Sequence, residues 1–380
     1  MIVSKFGGST LLCSNGVKNI SRLARLKKRK VLVFSAVGKG CGFAECNNKS
    51  CLCKPFGRAR GKKNKECANS CFSDCCKEKL TDILIDFSNA SEQTTRSKLL
   101  NKIKAKFMLL LYLTGVKFNL AYYLRQIKNS RDRAFIISRG EYITALIMSK
   151  YLNIPFVAAE RLFVFSGDKI NECKTRARLR LALKKYGRFC TSGFYGVQEV
   201  DGKITLFERG GGDTSGAIIS RQLRAKTYEK WTDIDGVKVT NFSKLANPKT
   251  ISRISYADME LYSDFGANVF SKNASDILRE SCVKTKIGSV IKPRTKKTVI
   301  TKKAKNVNFI GVKICGNEAK ILVKTHNKNF IKNYAQNAAS ETICFTVSKS
   351  ELNTKVSEIY RVLFKNNLAA KIYCGKKEIL

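Results

Sequence analysis

The sequence predicts an α/β protein with a central, mainly parallel sheet, followed by a small α+β module. Three observations carry that expectation. Over the first four-fifths of the 380 residues, short β-branched or apolar runs alternate with stretches of helical period, as in strands joined by helical crossovers. Strand-like runs lead into glycine-rich turns at KFGGST (residues 5–10) and at ERGGGDTSG (residues 208–216), the second of which opens a helix. After about residue 305 the alternation tightens into short strands and helices.

Taken in order, residues 2–5 and 31–37 read as buried strands, and 80–88 and 99–126 as helices by period. Between 37 and 80 the pattern dissolves into Gly, Cys, Lys and Asn, so a loop insertion at about 41–77 is predicted there. Residues 133–138 read as a strand and 140–151 as a helix whose first turn carries Glu141, near the positive end of the dipole. A strand at 154–159, another at 204–207 and a helix at 217–225 follow. In the last part, strands are predicted at 307–314, 320–324, 342–347 and 369–374, with helices at 329–335 and 352–363. The basic run 292–305, which contains Pro293, reads as a linker between domains at 1–300 and 306–380.

Composition narrows the function. With 72 Lys and Arg against 29 Asp and Glu, the formal net charge is +43, yet 44% hydrophobic residues and only 4 prolines exclude a disordered basic tail. The charge clusters at 18–30, 54–65, 174–188 and 292–305 without any recognisable nucleic-acid module, so solvated faces are expected and no specific nucleic-acid partner. The longest apolar stretch, 107–116, is far below the ~20 residues of a membrane span. MIVSKFGGST lacks the apolar core of a secretion signal, which predicts a cytoplasmic protein. Eight of the 15 cysteines fall between Cys41 and Cys76, but paired C-x2-C knuckles are missing and the one histidine, His326, is far away. A surface loop without metal is the reading there, with structural zinc as the alternative.

Four motifs carry chemistry. KFGGST leaves a strand through two glycines, whose N–H groups can approach phosphate oxygens while Lys5 neutralises phosphoryl charge. SRGE (138–141) puts a carboxylate at an expected helix start, where capping is the simpler reading. ERGGGD (208–213) gathers Arg209, three glycines and Asp213 at another helix start, a turn suited to a doubly charged ligand. WTDIDG (231–236) closes a strand with two carboxylates and a glycine, and also reads as an Asp-Gly turn.

Read in order with VLVFSAVGKG (31–40), KLTDIL (79–84), GFYGV (193–197) and DFGANV (264–269), these motifs resemble the bacterial aspartate kinases over roughly residues 1–300. The resemblance implies the amino-acid-kinase three-layer sandwich and transfer of the γ-phosphoryl of Mg2+-ATP to the side-chain carboxylate of L-aspartate. It implies Lys5 on the migrating phosphoryl group, Asp213 holding Lys5, and Gly7, Gly8, Ser9, Gly210 and Gly211 around phosphate. It further implies Arg209 on an aspartate carboxylate, Glu141 on the ammonium, Ser35 near the reacting carboxylate, and Thr232 and Asp233 facing the nucleotide. No protein-bound metal site is assigned. NAASETICFTV (337–347) resembles an ACT-type regulatory unit, shortened here, which implies a homo-oligomer and leaves lysine or threonine open as effector.

Departures are also legible. Gly212 stands where the family commonly has Ser, and Asn241, Phe242 and Ser243 replace a stretch that carries a phosphate-binding Arg, with Lys244 as a candidate substitute. The family's later nucleotide-contacting Lys has no clear match near 287–290, which leaves Lys286 or Lys292. A glutamate or nucleoside monophosphate kinase of the same fold, and a non-catalytic ligand-binding descendant, remain alternatives.

Overall fold

The computed structural model describes residues 1–39, 77–208, 210–267, 269–305, 307–334 and 341–365. The Cys-rich insertion except Lys77, Arg209 and the predicted strand at 369–374 lie outside the described residues. Internal packing divides the chain into two compact units, residues 1–235 with 270–295, and 236–269 with 296–380. The sequence placed the division at about 300.

In the first unit the strands are β1 (Ile2–Phe6), β2 (Arg29–Phe34), β3 (Val164–Ser166), β4 (Lys169–Ile170), β5 (Phe189–Ser192), β6 (Tyr195–Gln198), β7 (Ile204–Leu206) and β8 (Thr227–Thr232). After β9 (Arg253–Ser255) of the second unit, the chain returns with β10 (Lys284–Ser289). Strands β5, β2, β1, β8 and β10 lie side by side in that order, all parallel. A smaller sheet runs β4-β3-β6-β7. Alternation along each central strand sends one set of side chains to each face. Phe6, Leu32 and Phe34 join Leu84 and Phe87 of the helix Leu80–Asn89 and Ile143 of the helix Arg133–Leu152 in one core. On the opposite face lies the helix Gly211–Gln222, where the absence of a side chain on Gly216 lets the Tyr228 ring approach closely.

Several expectations change. Residues 133–138 are not a strand but the first turns of the helix Arg133–Leu152, capped by the Asp132 carboxylate, which accepts the Ala134 and Phe135 N–H groups at 2.9 and 3.1 Å. A short apolar run such as FIIS carries no period that distinguishes a strand from a buried helix. Glu141 therefore sits inside a helix, and the capping reading fails. The helix predicted over 99–126 is two, Gln93–Thr114 and Leu120–Asn129, because Gly115 adopts φ +65° and closes the first with its N–H on the Leu111 carbonyl. Residues 154–159 form one bridge, Phe156 to Cys190, rather than a strand. The helix expected from 217 begins six residues earlier, at Gly211. Within 292–305, read as a linker, lies β11 (Thr298–Thr301).

In the second unit β9 pairs in parallel with β11, and β12 (Phe309–Cys315), β13 (Glu318–Lys324) and β14 (Thr342–Ser348) form an antiparallel meander. Helices Tyr256–Asp264, Lys328–Tyr334 and Leu352–Tyr360 accompany them. Asn241 ties this unit together. Its amide donates to the Phe265 and Val312 carbonyls at 2.7 and 2.9 Å and accepts the Val312 N–H at 2.8 Å. Among the described residues no helix is long and apolar enough to cross a membrane.

Candidate active site

A cleft of about 840 Å3 opens in the first unit where the turns after β1 and β2 meet the start of the helix Gly211–Gln222. The two turns touch backbone to backbone. A Cβ on Gly8 would lie 2.7 Å from the Gly38 nitrogen, and one on Gly38 would lie 2.5 Å from the Ser9 nitrogen, so both positions exclude a side chain. The buried Lys106 ammonium holds this turn from behind, donating to the Gly38 carbonyl at 2.7 Å.

Lys5 on β1 and Lys230 on β8 are direct register partners, so both point to the face covered by the helix Gly211–Gln222. Like charges side by side on a sheet repel. Here Asp213 stands between them, 3.0 Å from the Lys5 ammonium through Oδ1 and 2.6 Å from the Lys230 ammonium through Oδ2. Burial works to raise the Asp213 carboxyl, but the Lys230 and Lys5 ammonium groups outweigh it and hold the group at about 2. Burial pulls the Lys230 ammonium down, against the attraction of Asp213 and helped by repulsion from Lys5.

Glu141 faces the same cleft from the helix Arg133–Leu152. Burial pushes its carboxyl up to about 8, against the Ala36 N–H, its own N–H and the Lys5 charge. Its Oε2 is buried and has no hydrogen-bond partner. A carboxylate oxygen enclosed in this way is a socket for a cation or a hydrogen-bond donor. A Cβ on Gly212 would lie 3.0 Å from the Ser35 hydroxyl, so the missing serine at 212 leaves room for the hydroxyl already present at 35.

The cleft thus gathers Lys5, Gly8, Ser9, Ser35 and Glu141 with Gly210, Gly211, Asp213 and Asp233. Two residues expected there stand beside the lining rather than in it. Gly7 is tied to β8, its N–H on the Trp231 carbonyl at 2.9 Å, and Thr232 turns its hydroxyl to the Asp233 carboxylate at 2.7 Å. Arg209 lies outside the described residues. Sequence reasoning missed Lys39, Lys79 and Arg133, which line the cleft, and Lys230. Lys39 and Lys79 lay inside motifs already recognised, SAVGK and KLTDIL; Lys230 had no signal except its place one residue before WTD.

A model of the amino acid kinase family matches residues 1–289. The chain belongs to the amino acid kinase family. It is 25% identical over 259 residues to the aspartokinase of Rickettsia felis, covering 65% of this chain and 64% of that protein. To aspartokinase 3 of Bacillus subtilis it is 27% identical over 320 residues, covering 81% and 65%. The matched regions therefore span a little under two thirds of those relatives' own length. Among solved structures, the aspartate kinase of Clostridium acetobutylicum superposes with a TM-score of 0.73 at 21% identity, covering 96% of this chain and all of that one. E. coli aspartokinase III, in complex with lysine and aspartate, gives 0.72 at 15% identity, covering 96% and 99%. These likenesses establish the α/β amino-acid-kinase fold that the sequence predicted.

Proposed function

We propose that this amino acid kinase is an aspartate kinase, an ATP:L-aspartate 4-phosphotransferase that gives 4-phospho-L-aspartate at the head of lysine, threonine and methionine biosynthesis. The observation that carries the reading is the pairing, in one cleft, of a buried Lys5–Asp213 cation site with the unpartnered Oε2 of Glu141. One end suits a phosphoryl group and the other an amino-acid ammonium. The attacking group is a carboxylate, ionised at neutral pH because a free aspartate side chain titrates near ~3.9, so no general base is required. Catalysis then rests on positioning and charge neutralisation. Lys5 faces the charge that develops on the migrating phosphoryl, Asp213 fixes Lys5, and Glu141 gives up its proton as it takes the substrate ammonium. Ser35 donates near the reacting carboxylate, and Arg209 reads the remaining carboxylate.

Gly8 and Ser9 on one turn, and Gly210 on the other, offer backbone N–H groups to ATP phosphates, while the Gly211 N–H is already on the Glu208 carbonyl at 2.9 Å. The positive rim of Lys39, Lys79 and Arg133 supplies the charge that Asn241, a structural tie in the second unit, does not. Asp213 is committed to two lysines, so Mg2+ arriving with ATP would be held by the phosphates and Asp233, hard oxygen donors that suit it, and would supply further charge neutralisation. Residues 306–380 read as a shortened ACT-like regulatory module of a homo-oligomeric cytoplasmic enzyme, with lysine or threonine as its effector.

The test is ADP release from ATP with aspartate, glutamate or UMP as acceptor. One extra methylene displaces the attacking oxygen by about 1 Å, which costs on the order of 100-fold, so aspartate should far exceed glutamate. Turnover with UMP and not aspartate would overturn the reading. Lysine or threonine added to the same assay checks the regulatory module.

A further inference from the structure

Lys230 does not line the cleft, yet it makes the shorter of the two contacts to Asp213. We propose that Lys230 is a positioning residue for phosphoryl transfer: by occupying Oδ2 of Asp213 it leaves the cleft-facing Lys5 ammonium with an uncompensated positive charge. The inference rests on the kinase reading above and extends it to a residue behind the reacting atoms.

The geometry supports it in three steps. First, β1 and β8 pair Lys5 with Lys230, so the two ammonium groups share one face and one carboxylate. Second, the charge count differs from that of a simple ion pair. One lysine on one aspartate sums to zero, and an incoming phosphate would have to compete with the full carboxylate for Lys5. Two lysines on one aspartate leave one net positive charge, and in a poorly hydrated site that charge acts on a phosphoryl oxygen far more strongly than it would in water. Third, Lys230 is itself fixed, its ammonium 4.6 Å from the centre of the Phe270 ring. Other charged groups bear on the cluster. Glu141 faces Lys5 from the helix Arg133–Leu152, and Asp233 acts on Lys230 from the end of β8. Neither replaces Asp213 as the shared partner, and Asp213 is held low by Lys230 and Lys5 together against its burial.

The experiment is Lys230→Met in the full chain, with Lys230→Gln as a second variant that keeps a hydrogen-bond donor but no charge. Turnover of both should fall about tenfold or more, with KM for ATP and aspartate changed less than about threefold. A purely structural Lys230 would lower melting temperature and leave the turnover of the folded protein in place, and that result overturns the proposal. Carbon-detected NMR titration of the Asp213 carboxyl needs no catalysis. In the unmodified chain it should stay ionised below the usual aspartate range and move up in both variants. Normal titration in the unmodified chain also overturns the proposal, even if neither variant folds. An unmodified chain with the low Asp213 but no turnover on aspartate would refute the substrate reading instead.

Discussion

Strands β1 and β8 carry buried charge on both faces, and the two clusters differ in how completely they are closed. On one side Glu229 accepts from Arg29 at 2.6 and 3.2 Å, from the Ser4 hydroxyl at 2.8 Å and from the Trp231 indole at 3.0 Å. Its charges sum to zero. On the other side Asp213 is shared by Lys5 and Lys230, and the nearby Glu141 Oε2 has no partner at all. A closed cluster has nothing left to offer a ligand and holds strands together, whereas an open one keeps a charge and an unfilled oxygen for a substrate. Ser4 and Glu229 are register partners exactly as Lys5 and Lys230 are, one residue on. Neighbouring positions of a single strand pair thus serve different ends.

The sharpest way to break the comparison is to open the closed cluster. Glu229→Ala leaves the Arg29 guanidinium buried without its carboxylate and should cost about 3–5 kcal/mol of stability in urea unfolding. The folded fraction should keep its turnover per molecule. Burial works to raise the Glu229 carboxyl, but hydrogen bonding and charge from Arg29 prevail and its value falls below 4.5. Its contribution should therefore be fully present above that value and be lost as pH falls through the lowered folded value. A large loss of turnover with stability intact would show that the Glu229 cluster belongs to the site.

The converse substitution acts on rate. Lys5→Ala should lower turnover about 100- to 1000-fold, the scale of losing one donor to a developing charge, about 3–4 kcal/mol in the barrier. Lys230 remains on Asp213, so the stability change should stay within about 1 kcal/mol. Asp213→Ala should lower turnover comparably, and the double variant should fall little further, because the two residues act as a unit. Additive losses would separate them.

How far these two clusters could be read beforehand differs as well. The open one was largely legible, because Lys5, Asp213 and Glu141 sit in motifs whose order resembles the aspartate kinases. Its second lysine was not, since strand pairing between residues 225 positions apart decides that Lys230 meets Lys5, and no local pattern encodes register. The closed cluster was missed for the same reason, Arg29, Glu229 and Ser4 being joined only by register. Local signals also misled where burial erased periodicity. The run before SRGE became helix, which moved Glu141 from an exposed first turn to the interior of the core and turned a capping residue into a buried acid. Of the glycines read as turn residues, Gly211, Gly212 and Gly216 lie inside a helix, and at Gly8 and Gly38 the decisive constraint is contact between two turns distant in sequence.

The smallest effect, and the most specific, belongs to the unfilled oxygen. Glu141 is protonated in the empty site over much of the neutral range, since burial raises its carboxyl to about 8. If its role is to take the substrate ammonium, binding aspartate at pH 7 must drive off that proton, and calorimetry in buffers of different ionisation enthalpy should register release approaching one proton per site. Glu141→Gln should abolish the release and raise the KM for aspartate about tenfold, the worth of one charge-assisted hydrogen bond, while that for ATP changes less. The same substitution should stabilise the empty protein. A carboxyl raised from 4.5 to about 8 contributes fully below 4.5 and loses that contribution as pH rises toward 8. Glutamine does not titrate, so the melting temperature of the variant should exceed that of the parent by an amount that grows between those two values and is constant above them. Parallel melting curves across that range, with proton release retained, would show that Glu141 is an ordinary core acid and that the ammonium socket lies elsewhere in the cleft.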